Sequence, residues 1–335
     1  MKTAVVGCGG IGGVIAGALA LHRHDVSCID ADRKIIETLH EKGLRIRGRK
    51  GEFTVHPGAF TTLHESHSSF DLIIIAVKSG VLPIVLDEAV GHLCGNGIIA
   101  TTQNGLGILD LAPQYPGTRV AAGAVGFNAI RVGYDHYRVT AEGGITFGSL
   151  NGATRDDILL IQGLLNPTIR VEVTGNITGA LWSKLIIVCG VTGLGGISGM
   201  PVGAMLNQRI ARRLFYRIMS EGVRVSAKPG VELAPFGGGT IPSKFTEDGL
   251  PLPLRYIIMK LVGMRYRSLI ANIQVDLERG KKTEVDHLNG EMVRRGREAG
   301  VDTPVNEGIV RMTHEIEDGK RTMGMHNLEE LHSLL

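Results

Sequence analysis

The 335-residue chain lacks the features that would commit it to metal, disulfide or nucleic-acid chemistry. Its four cysteines, Cys8, Cys28, Cys94 and Cys189, lie far apart with no CxxC pair, so neither a zinc site nor a disulfide framework is signalled. Cys8 and Cys28 fall in or beside apolar runs and read as buried thiols, which points to a reducing, cytoplasmic setting. The twelve histidines form no HExxH helix motif, and no metal is implied. His22 and His24 sit at a helix-to-strand turn, where exposure is expected, and no Ser-His-Asp arrangement can be argued from the order of residues. A net charge of +3, evenly spread, is too small to call for nucleic acid or an anionic membrane surface. The densest basic run, Arg294 to Arg297, reads as a solvated helix face. Repeats and low-complexity segments are absent. No signal peptide is read at the N-terminus, because its apolar start breaks within a few residues into "GCGGIGG".

What is present is an ordinary globular balance, 43% apolar and 21% charged residues, on a chain long enough for two domains at roughly 150 residues each. The first half alternates short β-rich runs with helical stretches. "KTAVVG" (2–7) reads as a strand, Gly10 to Leu21 as a helix, "DVSCID" (25–30) as a strand and Arg33 to Glu41 as a helix. "FDLIIIAVK" (70–78) is an uninterrupted apolar run, as a strand covered on both faces should be. "NGIIATTQNG" (96–105) and "TRVAAGAVG" (118–126) repeat the pattern. Such βα alternation predicts a doubly wound parallel sheet. "HYRVTAEGGITFGSL" alternates around Gly-Gly like a hairpin and is expected to extend that sheet with antiparallel strands. "PTIRVEVTGN" (167–176) reads as a last strand and turn, after which helical periodicity dominates. The boundary is placed near residue 175, giving domains 1–175 and 176–335. The loop at 235–253 reads as a connector inside the helical half.

"GCGGIG" matches G-x-G-x-x-G directly after a strand and at the opening of a helix. Gly7 permits the tight turn, Gly9 lets backbone approach a pyrophosphate, and Gly12 lets helix and strand pack closely. The helix opening at Gly10 and Ile11 points its N–H groups toward the phosphates. Asp30 ends the next strand, 18 residues after Gly12. A carboxylate there accepts hydrogen bonds from ribose hydroxyls and repels a 2′-phosphate, favouring NAD(H) over NADP(H). Arg33 lies close enough to keep the phosphorylated cofactor as an alternative.

The second informative run is Ala180 to Leu206, whose one charge is Lys184. Its length suffices for a membrane span of ~20 residues. Gly190, Gly193, Gly195, Gly196, Gly199 and Gly203, together with Pro201, make a poor one. A buried helix followed by a glycine-rich turn, with Lys184 facing a cleft, fits better than a membrane anchor.

"AVVGCGGIGG", "DLIIIAVKS", "TTQNGLG", "LWSKL", "GMPVG", "KTEVDHLNG" and "GVDTPVNEGI" run in one order across nearly the whole chain, and this ordered set resembles ketopantoate reductase (2-dehydropantoate 2-reductase). The resemblance implies an N-terminal Rossmann domain, a helical C-terminal domain of the 6-phosphogluconate-dehydrogenase type, and an active site in the cleft between them. It implies NAD(P)H-dependent reduction of a 2-oxo acid to a 2-hydroxy acid, with Lys184 as proton donor. By the same resemblance Lys78 and Asn104 lie near nicotinamide and substrate, and Glu284 near the substrate and the cofactor ribose. Lys78 and Asn104 also fall at the carboxyl ends of predicted parallel strands, where open α/β sheets bind ligands.

The chain departs from the family pattern where substrate is recognised. Family asparagines four and eight residues after the lysine correspond to Val188 and Thr192, a substrate-contacting serine to Asn272, and a cofactor-selecting arginine to Ala31, just after Asp30. The expected substrate is therefore ketopantoate or, with the same chemistry, a different and less hydroxylated 2-oxo or imino acid. An NAD-binding sensor without turnover is the reading of another class, which would need neither Lys184 nor Glu284. A small-molecule partner is expected, with no nucleic acid and no membrane, and helical faces that would suit a homodimer.

Overall fold

The computed structural model describes every residue except 50, 237, 238, 247, 248, 268, 334 and 335. The chain divides into two compact units, one of Met1–Gln103 with Gly107–Ile177, the other of Asn104–Leu106 with Thr178–Leu335.

The first unit opens with β1 (Lys2–Val6), α1 (Gly10–Leu21), β2 (Asp25–Ile29) and α2 (Arg33–Lys42). Then come β3 (Leu44–Gly48), β4 (Gly51–Val55), β5 (Gly58–Phe60), β6 (Phe70–Ile75), α3 (Leu82–Gly91), β7 (Leu93–Thr101) and α4 (Gly107–Leu111). It closes with β8 (Arg119–Val125), β9 (Asn128–Arg131), β10 (His136–Ala141), β11 (Ile145–Asn151), α5 (Arg155–Leu165) and β12 (Val171–Val173). Eight strands form one sheet in the order β12-β11-β8-β7-β6-β1-β2-β5. Every pairing is parallel except β8 with β11. The β6 side chains Leu72 to Ile75 are fully buried, as a strand covered on both faces requires.

The expected hairpin after residue 123 forms only in part. β11 does return antiparallel along β8, but β10 leaves the main sheet. It joins a second sheet of order β4-β3-β10-β9, paired parallel with β3 and antiparallel with β9. Gly143, between β10 and β11, passes so close to the Gly126 carbonyl that a side chain there would collide with it. The physical reason for the second sheet lies in α1, whose residues Gly12 to Leu19 are all buried. A helix apolar on every side must be covered on its outer face as well as against the main sheet. Tyr137 and Ile46 of the second sheet do this, lying against Gly13 and Gly17 where a β-carbon would not fit. The β3–β4 hairpin has its own local signal: Leu44 and Ile46 point inward while Arg45 and Arg47 stay accessible, a period of two.

In the second unit α6 (Ile177–Val188) runs through a wide π turn, Cys189–Gly193, into α7 (Leu194–Ser198) and stops at Gly199, whose φ of 65° is left-handed. The glycine-rich stretch expected as a turn is therefore mostly helix. Its glycines mark close helix crossings. A β-carbon on Gly190 would meet the Phe215 ring and one on Gly196 the Ile273 side chain, and from a later helix one on Gly222 would meet the side chain of Ile186. Ile177–Ser198 is long and apolar enough to cross a membrane, but 83% of its most apolar window is buried inside the protein. The remaining helices are α8 (Val202–Asn207), α9 (Arg209–Ala227), α10 (Leu252–Arg265), α11 (Asn272–Glu278), α12 (Asn289–Ala299), α13 (Pro304–Glu317) and α14 (Met325–His332). Of the connector at 235–253, residues 237, 238, 247 and 248 lie outside the described set. Its described part carries a Phe236–Thr240 bridge and a short turn at Pro242–Phe245.

Candidate active site

In the first unit the glycine loop lies at the carboxyl ends of β1, β2 and β6. Gly7 adopts φ 95°, open to glycine and strained for other residues. Its N–H donates to the Ile29 carbonyl at 2.8 Å, tying the loop to β2. The other glycines serve different ends. A methyl group on Gly12 would run into the Gly7 carbonyl, and one on Gly10 into the carbonyl of Ala129 in β9. One on Gly9 would meet no protein atom within 4 Å. Gly9, which caps α1 without a side chain, thus faces open space at a helix N-terminus whose first N–H groups have no intrahelical partner. That is the cradle a dinucleotide pyrophosphate needs. A Gly12→Ala substitution should weaken nicotinamide dinucleotide binding about tenfold or more, because over-packing here displaces the loop itself. Titration of NADH fluorescence checks this, and unchanged affinity would contradict it.

Asp30 stands directly after β2. Its Oδ2 accepts from the Cys8 N–H at 2.7 Å and its Oδ1 from the Asp32 N–H at 2.9 Å. The carboxylate is thereby fixed in orientation, with a further lone pair on each oxygen. Ala31 and Arg33 beside it are exposed. One brace of the loop escapes the sequence altogether: the buried Tyr137 hydroxyl donates to the Cys8 carbonyl at 3.0 Å, from 129 residues away. No local motif announces such a contact. Lys78 is exposed just beyond β6, at the entry to a short turn, Ser79–Val81. At the end of β7, the Thr102 N–H and the Gln103 side-chain amide both donate to the Ile75 carbonyl of β6, at 3.0 and 2.9 Å.

The remaining sequence candidates belong to the second unit, including Asn104, which groups with it rather than with the sheet. Gly105, at φ 86°, passes close to the His287 carbonyl, so the Asn-Gly turn rests on the segment that carries Glu284. Glu284 is half-buried and caps the short turn Val285–His287. Its neighbours are tied to α13: the Thr283 N–H donates to Glu317 Oε1 at 2.8 Å, and His314 Nε2 lies 2.9 Å from Asp286 Oδ1.

Lys184 sits in the middle of α6 and is only 5% exposed. Burial pulls its ammonium down from the ordinary lysine value to about 8, while the nearby Glu284 carboxylate pulls in the opposite direction. Val188 and Thr192 follow at four-residue steps, on the face of the helix that Lys184 occupies. Both are half-buried, and the Thr192 hydroxyl donates to the Val188 carbonyl at 2.8 Å. Asn272, by contrast, is exposed at the start of α11. The second unit therefore brings together Lys184, Glu284, Val188 and Thr192, and does not bury Asn272 with them. As for metals, His64 and His67 do share an i, i+3 spacing, with ring centroids 6.0 Å apart. Among the described residues, however, no group of three or more His, Cys, Asp or Glu side chains is placed to hold a metal ion.

Comparison with known proteins bears on the same segments. Residues 3–152 match the family Ketopantoate reductase PanE/ApbA, and residues 176–317 match its C-terminal counterpart. The chain is 25% identical over 307 residues to a 2-dehydropantoate 2-reductase of Halobacterium salinarum, covering 91% of this chain and 95% of that protein. It is 26% identical over 308 residues to one of Pyrococcus abyssi, covering 91% and 94%. The crystal structure of a PanE/ApbA family ketopantoate reductase from Ralstonia eutropha JMP134 superposes with a TM-score of 0.81 at 25% identity, over 96% of this chain and 100% of that one. A D-mandelate dehydrogenase solved with NADH and anilino(oxo)acetate shares the fold at a TM-score of 0.81 and 18% identity, over 96% and 100%. A doubly wound sheet unit with a dinucleotide cradle, a helical unit with a buried lysine, and family matches across both place the chain in the ketopantoate reductase family of NAD(P)H-dependent oxidoreductases.

Proposed function

We propose that the protein reduces a 2-oxo acid to the 2-hydroxy acid with NADH, that Lys184 is the proton donor, and that the side chain of its substrate is less hydroxylated than that of ketopantoate. The observation that carries this reading is the buried Lys184, whose ammonium is brought to about 8 by burial and sits under the influence of Glu284. An acid with a pKa near the working pH gives up a proton readily and is still largely protonated. When bound, the nicotinamide supplies hydride to the carbonyl carbon. Lys184 donates a proton to the carbonyl oxygen as negative charge builds there, and Glu284 keeps the ammonium populated between turnovers. The Gly7–Gly12 loop and the α1 N-terminus hold the pyrophosphate, Asp30 accepts from the ribose hydroxyls, and Lys78 and Asn104 orient the nicotinamide and the substrate.

Val188 and Thr192 support the narrower substrate assignment. A valine offers no hydrogen bond, and Thr192 already directs its hydroxyl proton to the helix backbone. A substrate hydroxyl desolvated against Val188 would stay unpaired, at a cost of ~1–3 kcal/mol, while Thr192 Oγ1, its proton committed to the backbone, can only accept. Asn272, exposed at the start of α11, is left to meet the substrate carboxylate from the solvent side.

The test is oxidation of NADH and of NADPH, followed by loss of nicotinamide absorbance, against ketopantoate and a panel of 2-oxo acids with alkyl and aryl side chains. NADH should be preferred over NADPH, and Asp30→Ala should narrow that preference about tenfold, the weight of one hydrogen-bonded charge. Efficient turnover of ketopantoate, at ~10⁴ M⁻¹s⁻¹ or above, would refute the narrower assignment. Tight NADH binding with no turnover of any 2-oxo acid would refute the reductase.

A further inference from the structure

We infer that Asn289 is a positioning residue: held by Asn306 and Glu221, it fixes the π turn after Lys184 and so sets how Val188 and Thr192 face the substrate. This rests on the function proposed above. The π turn at Cys189–Gly193 lies directly between Val188 and the end of the Lys184 helix run. Such wide turns are rare, are less well bonded than α-helix, and need support from outside the helix.

That support is visible bond by bond. The two carbonyls at the entrance to the turn each accept from a side chain: Val188 from the Thr192 hydroxyl at 2.8 Å, and Cys189 from Asn289 Nδ2 at 3.3 Å. The same Nδ2 donates to Asn306 Oδ1 at 2.8 Å, so both of its hydrogens are engaged. Asn306 in turn donates through its own Nδ2 to Glu221 Oε2 at 2.6 Å. Glu221 also accepts the backbone N–H groups of Val305 and Asn306 at 3.0 and 3.2 Å, where α13 begins. Glu221, Asn289 and Asn306 are all 0% exposed. One chain of bonds thus joins α9, α13 and α12 to the π turn.

Two details show that this chain is built around the turn. Gly193, inside the turn, has no side chain where the Asn289 amide lies; a β-carbon there would be 2.9 Å from Oδ1 and 3.1 Å from Nδ2. Asn289 Oδ1 itself has no hydrogen-bond partner among the described residues. A buried acceptor left unmatched is a cost that an apolar residue of the same size would avoid. The amide is therefore retained for where its nitrogen points, toward the Cys189 carbonyl.

The test compares the wild type with Asn289→Leu, close in volume and without donors. Asn289→Leu should lower kcat roughly 10–100-fold, the scale of a misplaced reacting group, and raise KM for the 2-oxo acid. NADH affinity should stay the same. Hydrogen exchange should quicken across residues 188–198 and not across the other helices. Kinetic constants unchanged in Asn289→Leu would overturn the assignment. So would exchange that quickens uniformly through the helical unit, which marks a purely structural residue. If the wild type itself turns over no 2-oxo acid, the reductase reading is lost, and local against uniform exchange still decides whether Asn289 holds the turn.

Discussion

Replacing Lys184 by methionine should abolish turnover and make the protein harder to unfold. The activity loss follows from the proposed role of Lys184, since removing a proton donor lowers kcat by ~10²–10⁴-fold, and NADH binding should be retained because the glycine loop lies in the other unit. The gain in stability follows from the sign of the pKa shift. In the unfolded chain Lys184 titrates at the ordinary 10.5, and in the folded protein at about 8. Between these values the unfolded state binds more protons, so stability rises with pH. Below about pH 8 the folded protein carries the full penalty of a buried ammonium, about 3 kcal/mol for a fully buried group. Lys184→Met should therefore raise the melting temperature by several degrees at pH 7, and the gain should shrink to nothing by pH ~10.5. The same titration governs the wild-type rate. kcat/KM for reduction should be level below pH ~8 and fall tenfold per pH unit above it, as the donor loses its proton. Calorimetry of both proteins across pH decides the stability claim, and a variant no more stable than wild type at pH 7 would refute the buried-cation account. A pH–rate profile with no basic limb near 8 would refute Lys184 as the acid.

Placing asparagine at positions 188 and 192, where the resemblance to the family implies it, should change the preferred substrate. With Val188→Asn and Thr192→Asn together, kcat/KM for ketopantoate should rise ~10–100-fold relative to an alkyl 2-oxo acid. Each amide offers a substrate hydroxyl both a donor and an acceptor, and removes the apolar contact that an alkyl chain prefers. Thr192→Asn also removes the hydroxyl that meets the Val188 carbonyl, so the single Val188→Asn variant is the cleaner probe of specificity. Competition between the two acids in one reaction measures the ratio directly. A ratio that moves less than about threefold would mean that neither position touches the substrate side chain.

The parts of this molecule legible from sequence are those with a local cause. Leu72 to Ile75 announce a covered strand because burial on both faces leaves no polar position. The Gly7–Gly12 spacing announces a tight strand-to-helix turn because Gly7 and Gly12 each answer a separate steric demand within six residues. Lys184 stands out as the one charge in an apolar run. The rest depends on partners distant in sequence. The second sheet could not be inferred from β10, whose alternation is equally good for the main sheet. What decides its place is the outer face of α1, uncovered without it. The glycines after Lys184 read as a turn because glycine weakens helices in isolation. Their actual cause is the close passage of Phe215, Ile273 and Asn289, which belong to later helices. The Glu221–Asn306–Asn289 chain has no periodicity at all.

The brace from Tyr137 to Cys8 also governs the order of folding. The glycine loop depends for one of its hydrogen bonds on a residue 129 positions later in the chain. The sheet that delivers Tyr137 depends on the parallel pairing of β10 with β3, itself a contact of long sequence separation. Closing loops of that length costs entropy that no local contact repays. The strand–loop–helix at the N-terminus can therefore take its rough shape early, but the dinucleotide cradle is finished late. Only when the chain beyond residue 137 has folded back over α1 does the first unit acquire a rigid site for its cofactor.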